Sequence, residues 1–263
     1  TGSKTVNISG NATGVNFQLT PAAPKTYYVA PDGSDDNPGT EAAPWATINY
    51  GDSAKILKQG DTVIVKAGEY ELSSSILLNN CSGSSEKRIN YIADGNVVLD
   101  ATELGVPAII LAVDYATLDG FQVIAGSGQT LMLSGCEEAI VTNCWLRQSA
   151  ADPSVQLTNT INCKFYRNVV GPSLTDSLAA GIRERGCVGN EFYHNVIVGL
   201  IDIGFDTDNV NTTFRNNIIW GTNYAGLHFT SPTGSSPKHS NNIIYINSGS
   251  QYVNTTAQSG ELG

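Results

Sequence analysis

Asn195-Val-Ile-Val, Asn217-Ile-Ile-Trp and Asn242-Ile-Ile-Tyr each place one polar residue ahead of an apolar run. Three earlier segments, Gly120-Phe-Gln-Val, Asn143-Cys-Trp-Leu and Asn168-Val-Val-Gly, follow the same plan. Subtracting successive leading positions gives intervals of 22 to 27 residues, and self-similarity at that period marks a stacked-repeat architecture. A helical solenoid would need two amphipathic helices per unit. These units instead hold short β-branched runs broken by Gly, Asn, Pro and Ser, so each reads as a strand–turn–strand coil. Coils stacked at about 4.8 Å put like positions directly over one another.

That register predicts a column of asparagines at Asn143, Asn168, Asn195, Asn217 and Asn242. Asn tolerates the left-handed turn conformation and can pass amide hydrogen bonds to the next coil, which makes the column structural rather than catalytic. The residues that follow it, Phe121, Cys144, Val169, Val196, Ile218 and Ile243, are expected to point inward. A second strand precedes each turn, at 109–111, 131–133, 155–157, 181–183, 203–206 and 227–230. Alternation sends Ile109, Leu131, Val155, Ile203 and Leu227 into the core and every second residue outside.

Composition agrees with an all-β chain. Of 263 residues 14% are charged and one is Met, while Gly, Asn, Ser and Thr abound. The net charge of −10 leaves no basic stripe for phosphate, which argues against nucleic acid as a partner. No stretch approaches the ~20 apolar residues of a membrane span. The chain begins without an initiator Met or signal peptide and reads as a mature or excised fragment. Cys81, Cys136, Cys144, Cys163 and Cys187 are odd in number and lack CxxC spacing, so they read as small buried residues rather than a zinc site or a disulfide framework.

Residues 1–25 alternate apolar and polar positions and end in Pro-Ala-Ala-Pro, which suggests a terminal strand and linker. Thr47 is placed to cap a short helix running to Leu57, although Gly51 weakens it; such a helix would close the end of the solenoid. Tyr27-Tyr-Val-Ala-Pro-Asp-Gly-Ser-Asp-Asp-Asn-Pro-Gly-Thr40, Pro44-Trp-Ala-Thr-Ile48 and Gly60-Asp-Thr-Val-Ile-Val-Lys-Ala-Gly-Glu-Tyr70 resemble the opening of the pectate lyase-like right-handed parallel β-helix superfamily, among secreted bacterial polysaccharide lyases and β-helix proteins without an assigned reaction. The resemblance covers residues 27 to about 247. It implies a right-handed, single-stranded parallel β-helix with an N-terminal cap over residues 26–263, and makes residues 1–25 resemble the tail of a preceding immunoglobulin-like or carboxypeptidase-regulatory-like domain. The opening motif is specific for the fold and much less so for an activity.

Lyases of this superfamily place their site on the outer face of one sheet, where acidic residues hold Ca²⁺ and a Lys or Arg lies near the abstracted proton. The cation neutralises a uronate carboxylate and acidifies the neighbouring C–H for a base. Here the densest outward polar set spans three coils: Arg183, Glu184 and Arg185; Asp202, Asp206 and Asp208; and His228. The drawn register makes Arg183 a neighbour of Asp206, Arg185 of Asp208, and His228 of Gly204. The expected catalytic residues are Arg183, Arg185, Asp206 and His228, and the expected Ca²⁺ ligands are Asp202, Asp206 and Asp208. Exposed cross-strand ion pairs explain the same residues, and an Arg is a poor base.

Asp206-Thr-Asp208-Asn-Val-Asn211 starts like a calcium loop, yet Val210 stands where an oxygen is needed and no Gly follows. Asp32, Asp35, Asp36 and Asn37 offer a second acidic turn, equally well explained as an Asx-rich turn. Tyr166, Tyr193 and Tyr224, with Tyr115, Trp145, Trp220 and Tyr245, are candidates for stacking on sugar rings or for packing. His194 and His239 read as surface or turn residues. The long coil at Gly171-Pro-Ser-Leu-Thr-Asp-Ser-Leu178 suggests a cleft wall. The motifs of polygalacturonase-type hydrolases are missing, which makes a carboxylate-pair hydrolase the weaker option.

Two functions compete at this point. One is a secreted or cell-surface polysaccharide lyase acting on acidic polysaccharide with Ca²⁺. The other is a non-catalytic adhesive or filament-forming module, whose C-terminal Gln251-Tyr-Val-Asn-Thr-Thr shows no cap and invites self-association.

Overall fold

A computed structural model describes residues 22–148, 153–172, 178–209, 211–230 and 238–254. Every pairing between its strands is parallel, and each strand pairs with its counterpart one coil away. Three sheets result. The first climbs through Thr62, Asn90, Thr117, Ile140, Lys164, Glu191, Thr213 and Lys238 in register. The second runs through Val98, Gln122, Trp145, Val169, Val196, Ile218 and Ile243. The third contains Ile76, Ile109, Leu131, Val155, Ile182, Phe205 and Leu227. The architecture is the all-β solenoid that the repeat requires. Among the described residues the one helix is Tyr50–Ser53.

Alternation along each short strand produces the core. Leu78, Leu111, Leu133 and Leu157 stack on the inner side of the third sheet, and Phe165, Phe192 and Phe214 on that of the first. Phe205 bridges the two, its ring 4.8 Å from Phe192 and 4.6 Å from Phe214. Phe205, not Ile203, occupies the inward column with Leu227, and Ile203 stands opposite Ala225. All five cysteines are buried, as their apolar settings predict.

The asparagine column is present but displaced by one residue in one coil. Asn195 Oδ1 accepts from the backbone N–H and the side-chain Nδ2 of Asn168 at 3.0 and 3.1 Å. Asn217 receives the same pair from Asn195, and Asn242 from Asn217. The ladder stops at Asn168, whose Oδ1 takes the N–H of Cys144. Asn143 belongs to the preceding column, Gly120, Asn143, Arg167, His194, Asn216 and Asn241, in which every residue has positive φ. This column turns the chain from the first sheet to the second, so the left-handed residues sit beside the ladder and not in it. Val169, Val196, Ile218 and Ile243 therefore face outward, with Ile243 64% exposed, while Val170, Ile197 and Ile219 fill the core.

The N-terminal end is closed by Trp45, whose backbone bridges to Val29 of the first strand, Thr26–Val29. Its ring stacks on Tyr27 at 4.6 Å, and its Nε1–H donates to Asn37 O. Gly51, which made the expected helix doubtful, is required by the packing: a Cβ there would lie 2.8 Å from the Trp45 ring. The helix is a single turn, without the side-chain cap expected from Thr47. Buried Asp52 pins it to the next coil by accepting the N–H groups of Asn79, Asn80 and Cys81. Most of the predicted terminal strand at 1–25, and residues 173–177 of the predicted cleft wall, lie outside the described residues.

Candidate functional site

Along the third sheet one outward column reads Met132, Gln156, Arg183, Asp206 and His228 on successive rungs. Alternation places these side chains, since Ile182, Phe205 and Leu227 point into the core beside them. Arg183 and Asp206 are direct partners, as the register predicts. His228 stands beside Asp206 and not Gly204, so the three polar groups are contiguous.

Asp206 is the hub. Its side chain is 3% exposed. Oδ2 accepts from Arg183 Nε at 3.0 Å and from an Arg185 Nη at 2.5 Å, and Oδ1 pairs with His228 Nδ1 at 2.9 Å. Burial on its own pushes the carboxyl up, but hydrogen bonds and charge from Arg185, then His228 and Arg183, outweigh it and hold Asp206 below the usual carboxylate range. Arg185 therefore pairs with Asp206 rather than Asp208, which accepts the N–H of Gly186. Arg185 reaches across because its Nη1 is also held by the carbonyl of Glu184.

A proton on Nδ1 of His228 donates to the carboxylate it faces, and in the neutral imidazole that arrangement leaves the lone pair on Nε2. Nε2 is buried without a hydrogen-bond partner. The half-exposed ring of Tyr224 stands edge-on to the imidazole at 6.0 Å. The cluster thus combines two guanidinium groups, one carboxylate that fixes them, and one oriented nitrogen with no bond of its own.

Glu184 departs from the expected outward set: it points inside, fully buried, in the column of Leu157 and Thr207. Asn190 Nδ2 donates to its Oε1 at 2.7 Å and Thr212 Oγ1 to its Oε2 at 2.9 Å. Burial raises its carboxyl above the ordinary range despite these donors. Sequence reasoning placed it outside because one position between two arginines looks like a charged surface run. The signal it overlooked was the strict period of two from Ile182. Gln156, directly below Arg183, was also passed over, being a common strand-surface residue.

The donor set does not suit a calcium ion at Asp206, since both carboxylate oxygens face cationic or imidazole donors. Asp202 is exposed, and among the described residues no three His, Cys, Asp or Glu side chains gather into a metal-binding group. The acidic turn near the N terminus is a brace: Asp35 accepts the N–H groups of Ala46 and Thr47 and the Thr47 hydroxyl.

Tyr166 and Tyr193 lie on the first sheet, not with the cluster. Their rings stack at 4.9 Å and 7°, and Arg215 covers the other face of Tyr193 at 4.5 Å. Ring faces already occupied this way are poor platforms for a sugar, so the ladder serves packing. Trp220 and Tyr245 likewise stack on each other at 4.6 Å. Of the three tyrosines singled out for substrate binding, Tyr224 alone adjoins the cluster. His194 takes an exposed left-handed corner position, and His239 stacks on Phe229.

The family model described as the Pel9A-like right-handed β-helix region matches residues 27–237. Among curated proteins no sequence matches. Solved structures with similar folds include a rhamnogalacturonan lyase, with 20% identity and a TM-score of 0.55 over 84% of this chain. An alginate lyase from Paenibacillus sp. str. FPU-7 gives 14% identity and 0.54, covering 87% of this chain and 98% of that one. XylC, solved with xylose, gives 12% and 0.52, covering 86% and 70%. At these identities the likeness concerns the fold, and this chain spans 62% of the rhamnogalacturonan lyase. Among the described residues no helix is long and apolar enough to cross a membrane.

Proposed function

The chain belongs to the Pel9A-like right-handed β-helix family, and we propose that it is a carbohydrate-active protein working outside the cell, a lyase of acidic polysaccharide whose reacting centre is Arg183, Arg185, Asp206 and His228. The observation that carries this reading is the buried Asp206 carboxylate, which holds two guanidinium groups and the Nδ1 of His228 while Nε2 stays unbonded. Guanidinium N–H groups bind a uronate carboxylate and stabilise the charge that grows on it as the adjacent C–H is broken. His228 Nε2 takes that proton. The released electron pair forms the new C=C bond, and the glycosidic oxygen on the next carbon leaves with the C–O electron pair and takes a proton from water. This gives the base role to His228 and not to an arginine, whose high pKa suits it to binding.

The test is ultraviolet absorbance of unsaturated product over a panel of pectate, rhamnogalacturonan, alginate and glycosaminoglycans. Turnover of one member that is lost in His228→Ala and Asp206→Asn supports the reading; silence across the panel counts heavily against it.

A second reading, a non-catalytic cell-surface or assembling module, is favoured by the outward apolar residues of the second sheet, Ile218, Trp220, Ile243 and Tyr245. Light scattering separates the two, because a stable dilute monomer undercuts assembly.

A further inference from the structure

The thiols of Cys136 and Cys163 lie 4.0 Å apart on neighbouring coils, 27 residues apart in sequence. Cys136 sits in the turn between the strands Leu131–Ser134 and Ile140–Thr142, and Cys163 in the equivalent turn one coil later, before Lys164–Tyr166. The coils are locked together there by Glu138 N–H to Ile161 O and Ile161 N–H to Cys136 O, so the backbones cannot drift apart. Both side chains are almost fully buried, at 1% and 2% exposure. The next coil is occupied differently: Thr160, not a cysteine, meets Cys187 at 3.2 Å. Cys81 and Cys144 bond to backbone carbonyls of their own surroundings. Of the five cysteines, these two therefore form the pair placed to react with each other.

We propose that Cys136 and Cys163 are a disulfide site, a covalent staple between successive coils that closes when the protein folds under oxidising conditions. To bond, the sulfurs must approach from 4.0 Å to about 2.05 Å. The hydrogen bond with Cys136 outweighs burial at Cys163 and holds that thiol below its ordinary range. With a small-molecule disulfide such as oxidised glutathione as oxidant, the Cys163 thiolate attacks it and expels one thiol. The Cys136 thiolate then attacks the mixed disulfide at the Cys163 sulfur and expels the second. The protein loses two hydrogens and two electrons, and the oxidant is reduced to two thiols. The staple lies one coil before the strand that carries Arg183 and Arg185, and closes a loop that restricts the unfolded chain.

The experiment refolds the full chain in a glutathione redox buffer and measures intact mass, non-reducing peptide maps and thermal melting. The expected result is a loss of about 2 Da, a linked pair of peptides containing Cys136 and Cys163, and a Tm raised by about 5 °C or more that reverts on reduction. Cys136→Ser and Cys163→Ser should each lose the mass change and the Tm gain. Five free thiols after oxidative refolding, or a link joining any other pair, overturns the proposal. All three readouts are independent of lyase activity.

Discussion

Replacing Asp206 by Asn removes one negative charge and changes almost no volume, which isolates the electrostatic role of the hub. In the native protein the carboxylate receives Arg183, Arg185 and His228 while only 3% exposed. Breaking a buried pair costs about 3–5 kcal/mol, because the remaining charge loses its partner. Here the guanidinium groups are 25% and 36% exposed, so water screens part of that loss, and the expected cost is about 2–3 kcal/mol. With a urea slope of roughly 3 kcal/mol/M for a chain of this size, the midpoint at pH 7 falls by about 0.8 M. The pH dependence has a definite sign. The folded carboxyl is held below its ordinary 3.8, so its stabilisation is complete above the unfolded value and disappears as pH falls through the folded one. The wild type and Asp206→Asn should therefore differ most at neutral pH and converge only below 3.8. Equal midpoints at pH 7, or a gap of the same size in acid, would refute the argument that Asp206 is an ionised hub.

Glu184→Gln should behave oppositely. Its folded carboxyl is raised, so the wild type loses stability as pH rises through that folded value, and the neutral variant should gain on it at pH 8 but not in acid, as read by urea melts at both pH values. Asn195→Ala leaves the N–H of Asn168 and the carbonyl of Phe165 without their partner and should cost about 3 kcal/mol by chemical denaturation, whereas Asn143→Gly, at a left-handed corner of φ 55°, should change stability by less than about 0.5 kcal/mol. If the lyase reading holds, Arg183→Lys should raise KM about tenfold or more, because an ammonium cannot form the planar double contact a carboxylate favours, and EDTA should leave kcat unchanged in steady-state assays.

The solenoid was legible because its signal is redundant: every coil repeats the same strand chemistry, and one misplaced residue does not alter the period. The register was less legible, for a reason visible at Asn143. Asparagine satisfies two adjacent columns, the left-handed corner by tolerating positive φ and the ladder by its amide, and the pairs Asn216-Asn217 and Asn241-Asn242 occupy both at once. A single Asn before Cys144 therefore fits either position in sequence, and only the paired strands, with Trp145 opposite Val169, decide between them.

The same one-residue ambiguity governs the site. Arg183 and Asp206 could be matched because their strands pair without a register shift, whereas the place expected for His228, beside Gly204, is two positions off: Asp206 and His228 keep the same offset as Val196 and Ile218, but two opposite irregularities at the corner between them obscure it. At that corner Ile201 aligns with Thr222, one residue gained on the first strand, then Ile203 with Ala225, one gained on the second, so the two irregularities cancel and no local pattern announces either. Their cancellation keeps His228 level with Asp206. With only one of them the second strand would slip by one position, and a one-residue slip turns a side chain to the other face of the sheet, away from the carboxylate. The chemistry proposed for this surface thus depends on two irregularities outside the cluster that compensate each other, and the repeat supplies the scaffold that restores the register beyond them.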